Sequence, residues 1–404
     1  MEKINVTFEM IKEAESVLEN IINHNELQFS QTFSNIANAN IFIKPENLQK
    51  TGSYKIRGAY NKLRTLSKEE REKGVLTASA GNHAQGLALA AKMTGIQATV
   101  FMPKNATLAK IEATKSYGAK IVNIGDNFDE TTQEALKFQK ESGSLFISPF
   151  NDDYIIAGQG TIGLEILKEN PNIKNIIVPI GGGGVIAGVS IAAKTINPNI
   201  KIFGVQAEGS PAMFNSFKAG KLTFVDKSET IADGINIKQP AQRTFDIIHK
   251  YVDDVTTVDE DEISQAVLYL LERCKLVVEP SGAVGVAALL SKKITVSGDT
   301  VILISGGNVD IKMLNNIIQK GLVKAGRYLK FITTISDLPG SLHKLLGSLY
   351  DLNASIININ HDRLRTNLKI GYTQVEISLE TKNINHNEYI VTELNKFGYE
   401  IQII

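Results

Sequence analysis

Cysteine is nearly missing from this chain: Cys274 is the single one in 404 residues. One thiol cannot close an intrachain disulfide, which fits a reducing compartment and makes the cytoplasm the default location. Histidine is thin as well. The six histidines lie scattered, with no cysteine cluster and no His pair at helical spacing, so a protein-built zinc site is not expected and no metal ligand is assigned. An excess of either charge is absent, because 43 Lys and Arg balance 43 Asp and Glu. Nothing in that balance draws the chain to nucleic acid or to an anionic membrane. No run of about 18 apolar residues occurs, so no membrane-spanning helix is predicted. Near the start, Met10, Ile11, Ala14, Val17, Leu18, Ile21 and Ile22 fall on one helical stripe, unlike the core of a signal peptide.

What is present is material for a core. Hydrophobic residues make up 43% and charged residues 21%, which excludes a disordered or collagen-like chain. At about 150 residues per domain, the length suggests roughly two to three domains. Short apolar runs alternate with helical patterns up to about residue 320. Strands are predicted at 41–46, 74–79, 98–103, 120–125, 145–149, 175–180, 201–208, 275–280 and 300–307. Helices are predicted from the turn at 105–107 to Gly118, from Asp129 towards Gly143, and from near Ala157 to just before Pro171. Such a pattern indicates parallel sheets buried on both faces, with ligands at the carboxyl ends of strands. After Gly326 the pattern changes to β-α-β-β-α-β, the ferredoxin-like order, over 327–404.

Four segments could carry chemistry. In TGSYKIRGA (51–59), Lys55 follows a turn and opens a helix. Electropositive surroundings at a helix start lower a lysine pKa and favour the free amine that a Schiff-base nucleophile needs, although a solvated lysine has the same local signature. In SAGNHAQG (79–86), Ser79, Ala80, Gly81, Asn82 and His83 crowd one strand-to-helix turn. Its bare N–H groups suit a carboxylate, and Asn82 can donate to a phenolic oxygen or accept from it. The bland alternative is a helix cap built on Asn82 or Ser79. In PIGGGGVIAG (179–188), Gly181, Gly182, Gly183 and Gly184 precede a helix and form a phosphate cradle. A rival reading takes Gly182, Gly184 and Ala187 as a relaxed dinucleotide fingerprint with Glu208 on a ribose, as in an NAD-dependent dehydrogenase. In SGGN (305–308), Ser305 ends a strand where a hydroxyl can meet a neutral ring nitrogen. In EPSG (279–282), Glu279 either points at the cleft or caps a helix begun by Pro280.

Taken together, these segments resemble the fold-type II family of pyridoxal-phosphate enzymes, and within it the threonine and serine dehydratases. KPENLQKTGSYKIRGAYNKL (44–63), ASAGNHAQGLA (78–88), FNDDYIIAGQGT (150–161), the tetraglycine loop, ADGI (232–235), EPSGA (279–283) and SGGN occur in the family's order. The resemblance implies an α/β fold of two lobes with parallel twisted sheets. The catalytic part is expected at 1–325, with a smaller lobe at about 53–150 inserted in the larger, and an α+β ferredoxin-like domain at 327–404. Pyridoxal 5'-phosphate is the implied cofactor. Lys55 is implied as its Schiff-base lysine and as the base for the substrate α-proton. Asn82 is implied on its ring oxygen, Gly181 to Gly184 on its phosphate, and Ser305 on its pyridine nitrogen. The turn Ser79–His83 is implied to receive the substrate carboxylate, with Ser79 also in a catalytic role. The implied reaction removes water and then ammonia from L-threonine to leave 2-oxobutanoate, and from L-serine to leave pyruvate. A homodimer or homotetramer is expected.

Two departures narrow this. Serine racemases carry a second serine directly after the position of Ser79, as a base on the opposite face; here it is Ala80. Relatives with a divalent cation pair a Glu with an Asp about six residues on, whereas the sixth residue after Glu208 is Phe214. The tail, with DLPGSL (337–342), looks like an ACT regulatory domain, in which such a turn lies near an effector site. Isoleucine, valine or a nucleotide are the expected effectors, for a biosynthetic or a catabolic role. The usual glycine before its second strand is replaced by Asn353-Ala354, and asparagine tolerates the left-handed conformation.

Overall fold

A computed structural model describes residues 5–363 and 368–404. The chain divides into two compact units, Met1–Ile311 and Lys312–Ile404, so the helix Ile311–Lys324 groups almost wholly with the second.

The first unit holds two sheets. The larger runs in the order Gln28–Phe29, Ile41–Pro45, Thr300–Ile304, Asn175–Pro179, Lys201–Ala207 and Asp254–Val258, and only its first pairing is antiparallel. The smaller runs Lys120–Asn123, Ala98–Met102, Val75–Ala78 and Leu145–Phe146, all parallel. Its strands fall in sequence between two strands of the larger sheet. The central strands Thr300–Ile304, Asn175–Pro179 and Ala98–Met102 are buried along their whole length. Such strands need helices on both faces, and their continuous apolar runs are the sequence signature of that arrangement.

The helices begin and end where side-chain chemistry dictates. Asp152 accepts hydrogen bonds from the amides of Tyr154 and Ile155 and starts the helix Asp153–Glu169 four residues ahead of the predicted Ala157. Asn127 caps Phe128–Ser142, which stops at a left-handed Gly143. Helices Asp153–Glu169 and Gly184–Ile196 approach at backbone distance: a Cβ on Gly188 would sit 2.6 Å from the Gly160 nitrogen.

The structure differs from the sequence expectation at two strands. Residues 275–280 are not a strand. The chain there leaves a π-helix, Leu270–Cys274, through a left-handed Lys275, and Leu276 bonds back to the Leu270 carbonyl. Both hydrogen-bonding sides of Thr300–Ile304 are already taken, by Ile41–Pro45 and Asn175–Pro179, so no slot in that row is left for it. Conversely, Asp254–Val258 is an edge strand whose threonines and exposed Asp254 hid it from an apolar-run search.

After the helix Ile311–Lys324 the second unit has the order β-α-β-β-α-β, with its antiparallel sheet arranged Ser355–Asp362, Tyr372–Glu380, Tyr328–Ser336, Gln402–Ile403. Phe331 and Ile377 on the sheet pack with Leu345, Leu349, Ile390 and Leu394 from the helices Ser341–Asp351 and Ile384–Lys396. Asn353 is left-handed at φ 54°, so asparagine does make the turn that glycine would otherwise make. Among the described residues no helix is long and apolar enough to cross a membrane.

Candidate active site

Lys55 is the first residue of the helix Lys55–Leu63. Its Nζ donates to the Pro149 carbonyl at 3.0 Å and lies 5.1 Å from the Tyr54 ring centroid. Burial lowers its pKa from 10.5 to about 8, against an opposing pull from Glu279. The shift expected from sequence is therefore present, but desolvation causes it rather than the helix terminus.

Next to Pro149, Phe150 forms the floor of the glycine loop. A Cβ on Gly182 would overlap the Phe150 ring, and one on Gly184 would reach 3.0 Å from the Phe150 Cβ. Gly183 is left-handed at φ 88° and caps the helix Gly184–Ile196. The amides of Gly181, Gly182 and Gly183 take no backbone carbonyl among the described residues. A helix start with bare amides and no side chains is an anion cradle. The dipeptide Pro149-Phe150 thus joins Lys55 to that cradle.

On the other side, Ser53 bridges Gly306 in antiparallel register, and the Tyr54 amide donates to the Ser305 carbonyl at 3.3 Å. Ser305 is buried immediately after the strand Thr300–Ile304. Asn82 opens the helix Asn82–Thr94, whose cap residue is Gly81 with no side-chain bond, so neither Asn82 nor Ser79 is a capping residue. Instead the Asn82 Nδ2 donates to Glu279 Oε1 at 2.6 Å, and its Oδ1 accepts from Asn308 Nδ2 at 2.6 Å. Glu279 is the N-cap residue of the helix Pro280–Leu290, but its side chain makes no capping bond and turns to Asn82 instead. Burial raises its carboxyl to about pKa 7, with the Asn82 hydrogen bond and Lys110 opposing, Asp233 adding to the rise and Lys55 opposing. Lys55, Asn82, the glycine loop and Ser305 therefore meet at one place, although their positions span 250 residues of chain (305 minus 55).

In the turn Ser79–His83, Ser79 Oγ accepts from the Gly81 amide at 3.3 Å, and Ala80 and Gly81 are half-buried. His83 turns inward. Its Nε2–H donates to the Ile147 carbonyl at 3.0 Å, and burial, followed by the charge of Lys55, lowers its pKa to about 3. The imidazole therefore stays neutral at ordinary pH.

Sequence reasoning missed what lies behind this site. Arg57, two residues after Lys55, is fully buried and bonds both Glu46 and Glu165 through pairs of hydrogen bonds, and donates to Thr161 Oγ1 at 3.0 Å. Lys44 reaches Glu165 at 2.9 Å and Glu169 at 2.8 Å. Burial works to raise the Glu165 carboxyl, but the charges and hydrogen bonds of Arg57 and Lys44 outweigh it and hold it below the ordinary range. These partners lie in three separate segments, and nothing local in the sequence joins them.

A family model described as "Pyridoxal-phosphate dependent enzyme" matches residues 18–306. The chain belongs to this family. It is 47% identical over 399 residues to an L-threonine ammonia-lyase of Thermotoga maritima, covering 99% of this chain and all of that one. Among solved structures, a maize serine racemase aligns with TM-score 0.74 and 38% identity, over 79% of this chain and 98% of the other. A threonine deaminase isoform of Solanum lycopersicum aligns with TM-score 0.74 and 35% identity, over 77% and 87%. Membership removes the dinucleotide reading of Gly182, Gly184 and Ala187, and Glu208, its ribose acid, is exposed beyond the strand Lys201–Ala207. As a pyridoxal-phosphate enzyme the chain needs an amine, an anion cradle and a ring-nitrogen partner. The buried amine of Lys55, the bare amides at Gly181–Gly183 and the buried hydroxyl residue Ser305 fit those needs.

Proposed function

We propose that the chain deaminates L-threonine to 2-oxobutanoate and ammonia, and L-serine to pyruvate and ammonia. The observation that carries this is the convergence of Lys55, Asn82, the Gly181–Gly184 loop and Ser305 around Pro149-Phe150 and Glu279. Lys55 would hold the cofactor covalently, the glycine amides would take its phosphate, Asn82 its ring oxygen and Ser305 its ring nitrogen. When bound, pyridoxal phosphate supplies an electron sink for the bond at the substrate α-carbon. Ser305, a neutral partner, leaves that sink weaker than an acidic residue would, which favours prompt loss of the β-hydroxyl.

The remaining work falls to the chain. The amides of the Ser79–His83 turn bind the substrate carboxylate, and the Ser79 hydroxyl orients it. Once the substrate amine displaces it, the free Lys55 Nζ would take the α-proton. The β-hydroxyl would leave as water with that proton returned from the Lys55 ammonium, a Cα–Cβ double bond would form, and hydrolysis of the released enamine would give the 2-oxo acid and ammonia. Ala80 offers no second base on the opposite face, so proton transfer is one-sided and suits elimination over racemisation. Residues 327–404 act as an ACT-like regulatory domain. Its turn Asp337–Leu342, where Gly340 is left-handed at φ 90° before the helix Ser341–Asp351, is the effector site for an amino acid or a nucleotide.

The test is a coupled assay for 2-oxo acid release with threonine and serine side by side, with chiral analysis of the residual serine. Release from threonine with no D-serine supports the reading. Failure to release 2-oxo acid from either substrate refutes it, and accumulation of D-serine refutes the one-sided mechanism.

A further inference from the structure

We propose that Glu279 and Asn308 are positioning residues that lock the Asn82 amide as a hydrogen-bond donor toward the cofactor's ring oxygen. The proposal rests on the assignment of Asn82 to that oxygen and deepens it. From sequence, Asn82 could either donate or accept. The structure removes the choice through the Thr51 carbonyl, which can only accept, and through the Glu279 oxygen that accepts from Asn82.

At one end stands the Thr51 carbonyl. Asn308 must present its Nδ2 there, at 2.7 Å, because an amide oxygen would face another oxygen. The second hydrogen of the same Nδ2 goes to Asn82 Oδ1 at 2.6 Å. That fixes which amide atom of Asn82 is which. At the other end stands the Glu279 carboxyl, which takes one hydrogen of Asn82 Nδ2 at 2.6 Å. A flipped Asn82 would set oxygen against oxygen at Glu279 and N–H against N–H at Asn308. One Nδ2 hydrogen of Asn82 is left for a ligand, while its Oδ1 already faces Asn308, so the Nδ2 side of the amide presents a donor. The packing preserves the line. A Cβ on Gly52, itself left-handed at φ 69°, would press on Asn308 Oδ1, and one on Gly306 would crowd Glu279 Oε1 and lie 3.0 Å from Asn82 Nδ2.

A fixed donor favours the deprotonated ring oxygen, which gives the visible band of the holoenzyme over the near-ultraviolet one. The experiment compares the ratio of these bands, at one pH and saturating pyridoxal phosphate, in wild type, Asn308→Asp, Glu279→Ala and Glu279→Gln. Asn308→Asp replaces the donor by an acceptor, and its ratio is expected to fall about tenfold, the size of one hydrogen bond to a charged group. Glu279→Ala should fall in the same direction. Glu279→Gln keeps an acceptor carbonyl and should stay within about twofold of wild type, well inside one hydrogen bond. A purely packing role would leave all the ratios alike. If Asn308→Asp does not fold, the Glu279→Ala and Glu279→Gln pair decides alone. Equal ratios in Glu279→Ala and wild type, or a Glu279→Gln fall as large as that of Glu279→Ala, overturn the proposal while a normal wild-type band leaves the Lys55 assignment standing. A wild type with no visible band overturns both.

Discussion

Lys55 is a usable nucleophile near neutral pH because its amine is buried against Tyr54 and Pro149, and its pKa falls from 10.5 to about 8. The free amine is the reactive form, so the rate at which apoenzyme develops its visible band on adding pyridoxal phosphate should rise with pH and level off above about 8. Stopped-flow absorbance against pH checks this, and a rise continuing towards 10.5 would contradict it. Lys55→Ala should lower 2-oxo acid release by about 10²- to 10⁴-fold or more, the usual range for losing a positioned base. Gly182→Ala places a methyl in the Phe150 ring. Overpacking of that kind costs about 1–3 kcal/mol, visible as a lower melting temperature and weaker cofactor binding; an unchanged melt would show that Phe150 moves aside freely. At this scale the sequence was readable wherever chemistry sits in one local run: Lys55 after its turn, Asn82 in its small-residue loop, four glycines before a helix. For Glu279 the sequence offered the choice of cleft or cap, but not its pairing with Asn82, 197 positions away in the chain.

The helix Lys55–Leu63 is anchored by its own Arg57, which together with Lys44 offsets the charges of Glu46 and Glu165. Removing one partner of a buried ion pair leaves an uncompensated charge, so Arg57→Met should cost about 3–5 kcal/mol. Thermal or urea unfolding measures it, and a loss below 1 kcal/mol, about the value of an exposed pair, would contradict the account. The Glu165 carboxyl is held below its ordinary range, so its contribution is complete above pH 4.5 and is lost as pH falls through its lower folded value. The Arg57→Met variant should therefore lose the share of this acid sensitivity that Lys44 does not supply. Elements with continuous apolar runs, such as Asn175–Pro179 and Thr300–Ile304, were evident from sequence because both faces are covered. The polar edge strand Asp254–Val258 was not, since an edge needs no apolar run. Residues 275–280 misled for the opposite reason: Leu276 and Val278 are buried in a loop whose place in the sheet was already taken.

At the scale of the whole molecule, two compact units share one chain, an α/β unit that contains the candidate site and a β-α-β-β-α-β unit that follows. The order of elements in the second was plain in the sequence because its strands alternate apolar and polar residues with period two, leaving one face for Leu345, Leu349, Ile390 and Leu394. The proposed regulatory role requires that an effector change turnover. Threonine saturation curves with and without isoleucine, valine, AMP and ADP should show a displaced midpoint with at least one of them; superimposable curves would remove the role. Threonine and serine differ by one methyl, a difference of about 1–3 kcal/mol in a pocket, so both should turn over and their preference is a matter for measurement. The central claim is a single attachment point. Borohydride reduction of the holoenzyme followed by peptide mass analysis should find the pyridoxyl group on the peptide containing Lys55 and nowhere else; a label on another lysine, or none in a protein that still releases 2-oxobutanoate, would contradict it.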